Sequence, residues 1–176
     1  MKNKCIATAL SLLIILFSTF GCSQSGRRNT NHNTATTEGV IETVGGSSKK
    51  TVVKIKKVDG IYQIPVLVNG VKMFFIFDTG ASVISISETE ATFLYKQGNL
   101  TAEDIKGTAE YYDANGDISE GTIIVLKTVQ IGDRILRNIN ASVVHNQIAP
   151  LLFGQSALEK FGKISIDNNR EEITFE

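Results

Sequence analysis

From residue 51 to residue 86 the chain alternates short β-branched and aromatic runs with Asp-Gly and Asn-Gly dipeptides, which restricts the fold more than any other feature. The run at 51–58 ends at Asp59-Gly60, the next (Ile61–Val68) at Asn69-Gly70, and the third (Val71–Phe77) at Asp78-Thr79-Gly80. Asp-Gly and Asn-Gly suit type I′ turns, whose positive φ angles are tolerated best by Asn, Asp and Gly. The spacing predicts consecutive hairpins, with 83–86 as a further strand. Ser87-Glu88-Thr89-Glu90 then reads as a capping box, with the Ser87 hydroxyl and the Glu90 carboxylate satisfying free N–H groups. The helix it opens is expected to reach about Gln97 and stop at Gly98, and 101–106 to add one helical turn.

Further on, 108–113 and 118–129 flank Ala114-Asn115-Gly116-Asp117 and predict a long hairpin with a polar tip. Gly132-Asp133 turns the chain into a strand at 135–144. After Pro150 come Leu151-Leu152-Phe153-Gly154, a short helix at 156–161 ended by Gly162, and strands at 163–167 and 172–175 around Asn168-Asn169. So many short strands in residues 51–176 predict an all-β domain, a small closed β-barrel with one or two short helices.

The first 50 residues read differently. Residues 1–4 are basic, 6–20 are almost entirely apolar, and Gly21 precedes Cys22, after which the chain turns polar. That apolar run is shorter than the roughly 20 residues of a bilayer span and has the layout of an export signal. Gly before Cys resembles the bacterial lipoprotein signal, over residues 1–22, although Thr19 and Phe20 depart from its usual pattern. The resemblance implies that Cys22 is lipidated and holds the domain at the cell envelope, membrane-anchored on the periplasmic or extracytoplasmic side. An uncleaved anchor and ordinary secretion are the alternatives. Residues 23–50, dominated by Ser, Asn, Thr and Gly, bury too little apolar surface to order and read as a flexible tether. A coil of that length spans about 30 Å. His32, inside it, reads as solvated.

With Cys5 and Cys22 assigned to the signal and its lipid, the domain has no thiol or disulfide, and stability must come from its core. The supply is adequate: over the whole chain 42% of residues are hydrophobic, with nine Phe, all but Phe17 and Phe20 in the domain. Formal net charge is zero, and there is no Lys/Arg block longer than a pair such as Arg27-Arg28 and no aromatic-basic interleaving, which speaks against a nucleic-acid partner. His145 is the only His after residue 50 and there is no His-Glu-x-x-His, so no metal, no cofactor and no serine or cysteine nucleophile paired with His is expected. The Asn-x-Ser/Thr matches at Asn99 and Asn140 read as coincidental.

Taken alone, Asp78-Thr79-Gly80 is an ordinary turn. Its context sets it apart, because two core-like strands flank it, and a partly desolvated carboxylate between buried strands is a functional-site candidate. Phe77-Asp78-Thr79-Gly80-Ala81-Ser82 resembles the active-site loop of retropepsin-like aspartic peptidases, whose members include single-domain bacterial and retroviral enzymes. Three further features resemble that family in order. A hairpin with Asn115 and Gly116 at its tip, and Tyr111 and Tyr112 before it, falls where the family has its flap. Leu151-Leu152-Phe153-Gly154 resembles the apolar-apolar-Gly element that crosses beneath the catalytic loop. The strands at 163–167 and 172–175 resemble the closing strands.

The resemblance implies an aspartic endopeptidase acting on polypeptides, with Asp78 as the catalytic carboxylate. Water is then held between two carboxylates that share one proton, one acting as base while the other polarises the scissile carbonyl. Thr79 would lock the paired loops through its hydroxyl, and Gly80 would let backbone approach the dyad; Ala81 and Ser82 complete the loop. No other Asp is followed by Thr-Gly or Ser-Gly, so the second carboxylate is expected from another copy, in a homodimer. The family also implies that the terminal segment, with Ile173 and Phe175 alternating against polar neighbours, offers an edge for pairing at the two-fold interface. Tyr111 and Tyr112 read equally as substrate contacts or as cross-strand packing. A non-catalytic peptide-binding envelope lipoprotein of the same fold is the alternative, with a structural lipoprotein behind it.

Overall fold

Asp59 and Gly60 have φ of 51° and 82°, and Asn69 and Gly70 have 48° and 86°, so both dipeptides make the left-handed turns expected of them. The structure, a computed structural model, describes residues 41–43, 50–112 and 115–176. The expected signal at 1–22, with Cys22, and His32 lie outside these residues, as does most of the 23–50 segment.

In chain order the strands are β1 (Ile41–Thr43), β2 (Thr51–Lys54), β3 (Lys56–Val58), β4 (Ile61–Val68), β5 (Val71–Phe77) and β6 (Ile84–Ser87). They continue with β7 (Ile105–Tyr112), β8 (Ile118–Ile131), β9 (Arg134–Val144), β10 (Leu152–Phe153), β11 (Ile164–Asp167) and β12 (Glu172–Phe175). Helix α1 covers Glu88–Lys96 and α2 covers Gln155–Leu158, with 3₁₀ turns at Ala102–Asp104 and Glu159–Phe161. The all-β class is thus as expected.

Nine strands form one sheet in the order β1–β9–β6–β10–β5–β4–β8–β7, with β3 beside β4. Strand β8 also pairs with β9 from Gly121↔Val144 to Ile131↔Arg134, so the path β9–β6–β10–β5–β4–β8 returns to β9. The remaining three strands form a second sheet, β11–β12–β2.

Four local readings need adjustment. The segment expected to be tether contributes β1, which pairs antiparallel with Arg134, Ile135 and Leu136 of β9. The helical turn at 101–106 shrinks to Ala102–Asp104, because Ile105 already pairs with Ile124 of β8. At α1 the Ser87 hydroxyl accepts from the amides of Thr89 and Glu90, but the Glu90 carboxylate takes the Ser87 hydroxyl rather than a backbone N–H. The last correction concerns the chain end. Strand β12 lies between β11 and β2, both its edges are hydrogen-bonded, and Ile173 and Phe175 are fully buried. The terminal strand is therefore not a free edge within this chain.

Four fully buried phenylalanines connect the two sheets. Phe75 of β5 meets Phe153 of β10 edge-on at 6.0 Å, Phe153 meets Phe161 at 6.1 Å, and Phe161 meets Phe175 of β12 at 5.1 Å. Such pairs add about 0.5–1.5 kcal/mol each beyond the area they bury. Through them the chain end packs directly beneath the strands that carry the Asp78 loop.

Arg134, only 6% exposed, joins the same region by hydrogen bonds. Its guanidinium donates to Thr51 Oγ1 at 3.2 Å and to the carbonyls of Phe161 at 3.1 Å and Glu176 at 3.2 Å. A buried cation is tolerated only when its donors are satisfied in this way.

The Glu176 side chain pairs at the surface with Lys50 at 2.7 Å and Lys163 at 3.0 Å. The Lys50 hydrogen bond, then that of Lys163, lowers its carboxyl from 4.5 to about 2. Because the folded value is depressed, this stabilisation is present above about 4.5 and is lost as pH falls towards 2. Thermal melts across that window should show a decline that Glu176→Gln makes shallower and that high salt also weakens. An unchanged acid limb in the variant would remove this pair of contacts from the account.

Candidate active site

Strand β5 runs out at Phe77 into a loop, and Asp78 sits half-buried at its start. The Asp78 amide donates to the Phe153 carbonyl at 3.2 Å, and Asp78 Oδ1 accepts from the Gly80 amide at 2.8 Å. A Cβ on Gly80 would lie 3.2 Å from that same Oδ1, so glycine lets the amide reach the carboxylate without crowding it. Thr79 is exposed, and its hydroxyl makes no hydrogen bond within the described residues. Ala81 is half-buried and Ser82 is exposed.

The segment around β10 braces this loop from below. Strand β10 lies between β5, in parallel, and β6, antiparallel, so it occupies the gap that the loop bridges. Ile76 donates to Leu151 O at 2.8 Å, Gln155 donates to Ala81 O at 2.8 Å, and Ser156 donates to Ser82 O at 3.0 Å. With the Asp78 bond, four backbone contacts fix both ends of the loop. Gly154 makes this approach possible. A Cβ there would sit 2.2 Å from Val83 O, 2.7 Å from Val83 C and 2.8 Å from Ala81 O, all of them backbone atoms that cannot swing aside. Gly154→Ala is therefore expected to destabilise the fold by about 3 kcal/mol or more, at the upper end for overpacking. Urea unfolding checks this, and a loss below about 1 kcal/mol would contradict the brace.

The β7–β8 hairpin stands over the loop. Tyr112 pairs with Ile118 at the hairpin's far end, and Gly116 turns the tip with φ of 87°. Asn115 is exposed beside it, and residues 113 and 114 of the tip lie outside the described part. A cleft of about 300 Å³ opens between the hairpin and the loop, bordered by Gly80, Ala81, Ser82 and Val83 on one side and Tyr111, Tyr112 and Ser119 on the other. Leu152 also reaches it. Tyr111 is half-buried at the cleft wall, while Tyr112 is 72% exposed at its mouth. Gly80, Ala81, Ser82, Leu152 and the two hairpin tyrosines are therefore brought together around the cleft, while Asp78 and Thr79 sit at the start of the loop without bordering it and Phe153 and Gly154 are buried beneath.

Sequence reading missed part of the cleft. Ser85 of β6, Gly121 of β8, and Ser142 and Val144 of β9 also line it. The one available signal was Gly121, a glycine inside a strand, which often marks a close approach.

The other acids have separate duties. Burial alone would raise the Asp104 carboxyl, but hydrogen bonds from the Thr101 hydroxyl and amide, with Lys127, outweigh it and hold that group below its usual range. It caps the turn before β7. Asp167 is lowered by the Arg170 amide first, with the Asn169 amide and the Arg170 side chain adding to it, in the β11–β12 turn. Among the described residues no group of three or more His, Cys, Asp or Glu is placed to hold a metal ion.

A family model described as "gag-polyprotein putative aspartyl protease" matches residues 64–160, which include the loop, the hairpin and the bracing element. A crystal structure of a retropepsin-like aspartic protease from Rickettsia conorii superposes with a TM-score of 0.51 at 27% identity, covering 78% of this chain and 94% of that one. The uncharacterized protein RP867 of Rickettsia prowazekii (strain Madrid E) is 34% identical over 111 residues, 63% of this chain. The match covers 46% of that relative, so the chain spans less than half the length of the curated protein it resembles.

Proposed function

The chain belongs to the gag-polyprotein aspartyl protease family, and from that premise we propose that it is an aspartic endopeptidase whose catalytic carboxylate is Asp78. The observation that carries the reading is the anchored loop. Asp78 is half-buried at the foot of a cleft-lining loop, held by an amide on its Oδ1 and by a strand threaded beneath it. Such anchoring keeps a carboxylate in one position, which hydrolysis requires of a group that must take a proton from water at the moment of attack.

One copy supplies one such loop, so the dyad is completed by Asp78 of a second copy across a two-fold axis. The pair holds one proton between two carboxylates, because like charges a few Å apart resist ionising together; this enzyme class is a standard worked example of that effect. One carboxylate takes the water's proton while the protonated one polarises the peptide carbonyl. The exposed Thr79 hydroxyl, free of partners within the described residues, is available to lock the two loops together. The substrate is an extended polypeptide lying in the cleft beneath the β7–β8 hairpin, and the sheet around it acts as the small barrel of the family. Lipid on Cys22 would hold this domain at the extracytoplasmic face of a membrane. Cleavage profiling of a peptide library with the full chain and with Asp78→Asn tests the assignment. Products from the wild type alone support it, and identical profiles refute it.

A further inference from the structure

We infer that the cleft beneath the β7–β8 hairpin selects a substrate residue whose side chain ends in an uncharged amide, and that Ser142 reads that amide. The inference rests on the peptidase reading and adds to it the chemistry of one substrate side chain.

Ser142 is 2% exposed, and its Oγ is the buried side-chain polar atom among the described residues that has no hydrogen-bond partner. Buried hydroxyls are almost always paired, and leaving one unpaired costs stability. Ser142 is among the residues that line the cleft, next to Ser85, its register partner on β6, with its Oγ buried in the cleft wall. Gly121 lets this hydroxyl and the Tyr111 ring approach β8 closely. A Cβ at that position would lie 2.5 Å from Ser142 Oγ and 2.9 Å from Cε2 of the Tyr111 ring. The φ of Gly121 is not in the left-handed region, so glycine is required here for room and not for backbone conformation. A strand-weakening residue thus stands beside an unsatisfied hydroxyl, both on the wall of one cleft.

The chemistry of the walls narrows the occupant. Val83, Val144 and Leu152 are apolar and suit a methylene stem. A serine floor offers one donor and two acceptor lone pairs but no charge, so a carboxylate placed there would be desolvated without a counter-ion, and an ammonium, which only donates, would leave the hydroxyl proton without an acceptor. Glu120 on the rim disfavours an anion further. Glutamine or asparagine satisfies both conditions, with an apolar stem and an amide that donates and accepts.

The test uses the full chain, wild type and Ser142→Ala, with peptide pairs that differ by Gln against the similarly shaped Met at each position flanking the scissile bond. Cleavage is read as kcat/KM, and affinity is read separately as Kd with reduced-amide versions that cannot be cut. Wild type should favour Gln about tenfold at one position, the equivalent of one well-made hydrogen bond. Ser142→Ala should bring that ratio to within about twofold, with a Tm no lower than wild type because an unpaired buried hydroxyl has been removed. Cleavage without a Gln preference, or a preference that survives Ser142→Ala, overturns the inference and leaves the peptidase reading standing. Binding that shows the Ser142-dependent preference without any cleavage overturns the peptidase reading and keeps the amide site. Neither binding nor cleavage overturns both.

Discussion

Asp78→Asn is expected to fold as the wild type does and to hydrolyse peptides at least about 1000-fold more slowly, as happens when one member of a concerted catalytic unit is removed. The fold should survive because asparagine is isosteric and can still accept the Gly80 amide through its side-chain oxygen. The Asp78 amide bond to the Phe153 carbonyl involves backbone alone and is unaffected. Activity should fall because an amide cannot take the water's proton or hold the shared one. Matching melts with lost hydrolysis would separate this role from a structural one. A variant as active as wild type would remove Asp78 from the chemistry.

The second large effect is on concentration dependence. If the dyad is shared as proposed, a monomer lacks it, and the rate at low protein concentration should rise more steeply than in proportion to protein. Beside the loop, Phe77, Leu158, Ile164 and Ile166 line another cavity of about 300 Å³ together with Thr79, Gln155 and Glu159, and Ile166 is 41% exposed. Strand β12 does not contribute an open edge, because β11 and β2 already occupy both of its sides. Deleting Ile173 to Glu176 would remove two fully buried side chains and so test folding, not association. A dilution series with strictly proportional rates down to nanomolar protein would contradict the shared site.

Local features of this fold were legible in sequence, and long-range ones were not. The turns at Asp59-Gly60 and Asn69-Gly70 follow from positive φ, a property of single residues. The Ser87 half of the α1 cap was legible for the same kind of reason, and the loop at 78–82 stood out as a short motif between core-like strands; Gly154, with φ of −87°, was marked only by the family resemblance, because its need for glycine comes from the Val83 and Ala81 backbone. What escaped was set by partners far along the chain. Strand β1 has only three residues, too few to show a period, and exists because β9 offers it an edge. Strand β12 looked like an edge because its two neighbours, β2 and β11, cannot be inferred from its own alternation. Ser85 and Ser142 escaped because serine in a strand carries no signal until Gly121 and the hairpin are seen to face it.

The central claim is that two copies of Asp78 make one site, and one titration tests it most directly. Wild type and Asp78→Asn are mixed at constant total protein, allowed to exchange subunits, and assayed for peptide hydrolysis across the mole fraction. A dimer with one carboxylate and one amide lacks the dyad, so activity should follow the square of the wild-type fraction, about one quarter at equal amounts. Activity that falls in simple proportion, to about half at equal amounts, would mean that each chain works alone and would contradict the account.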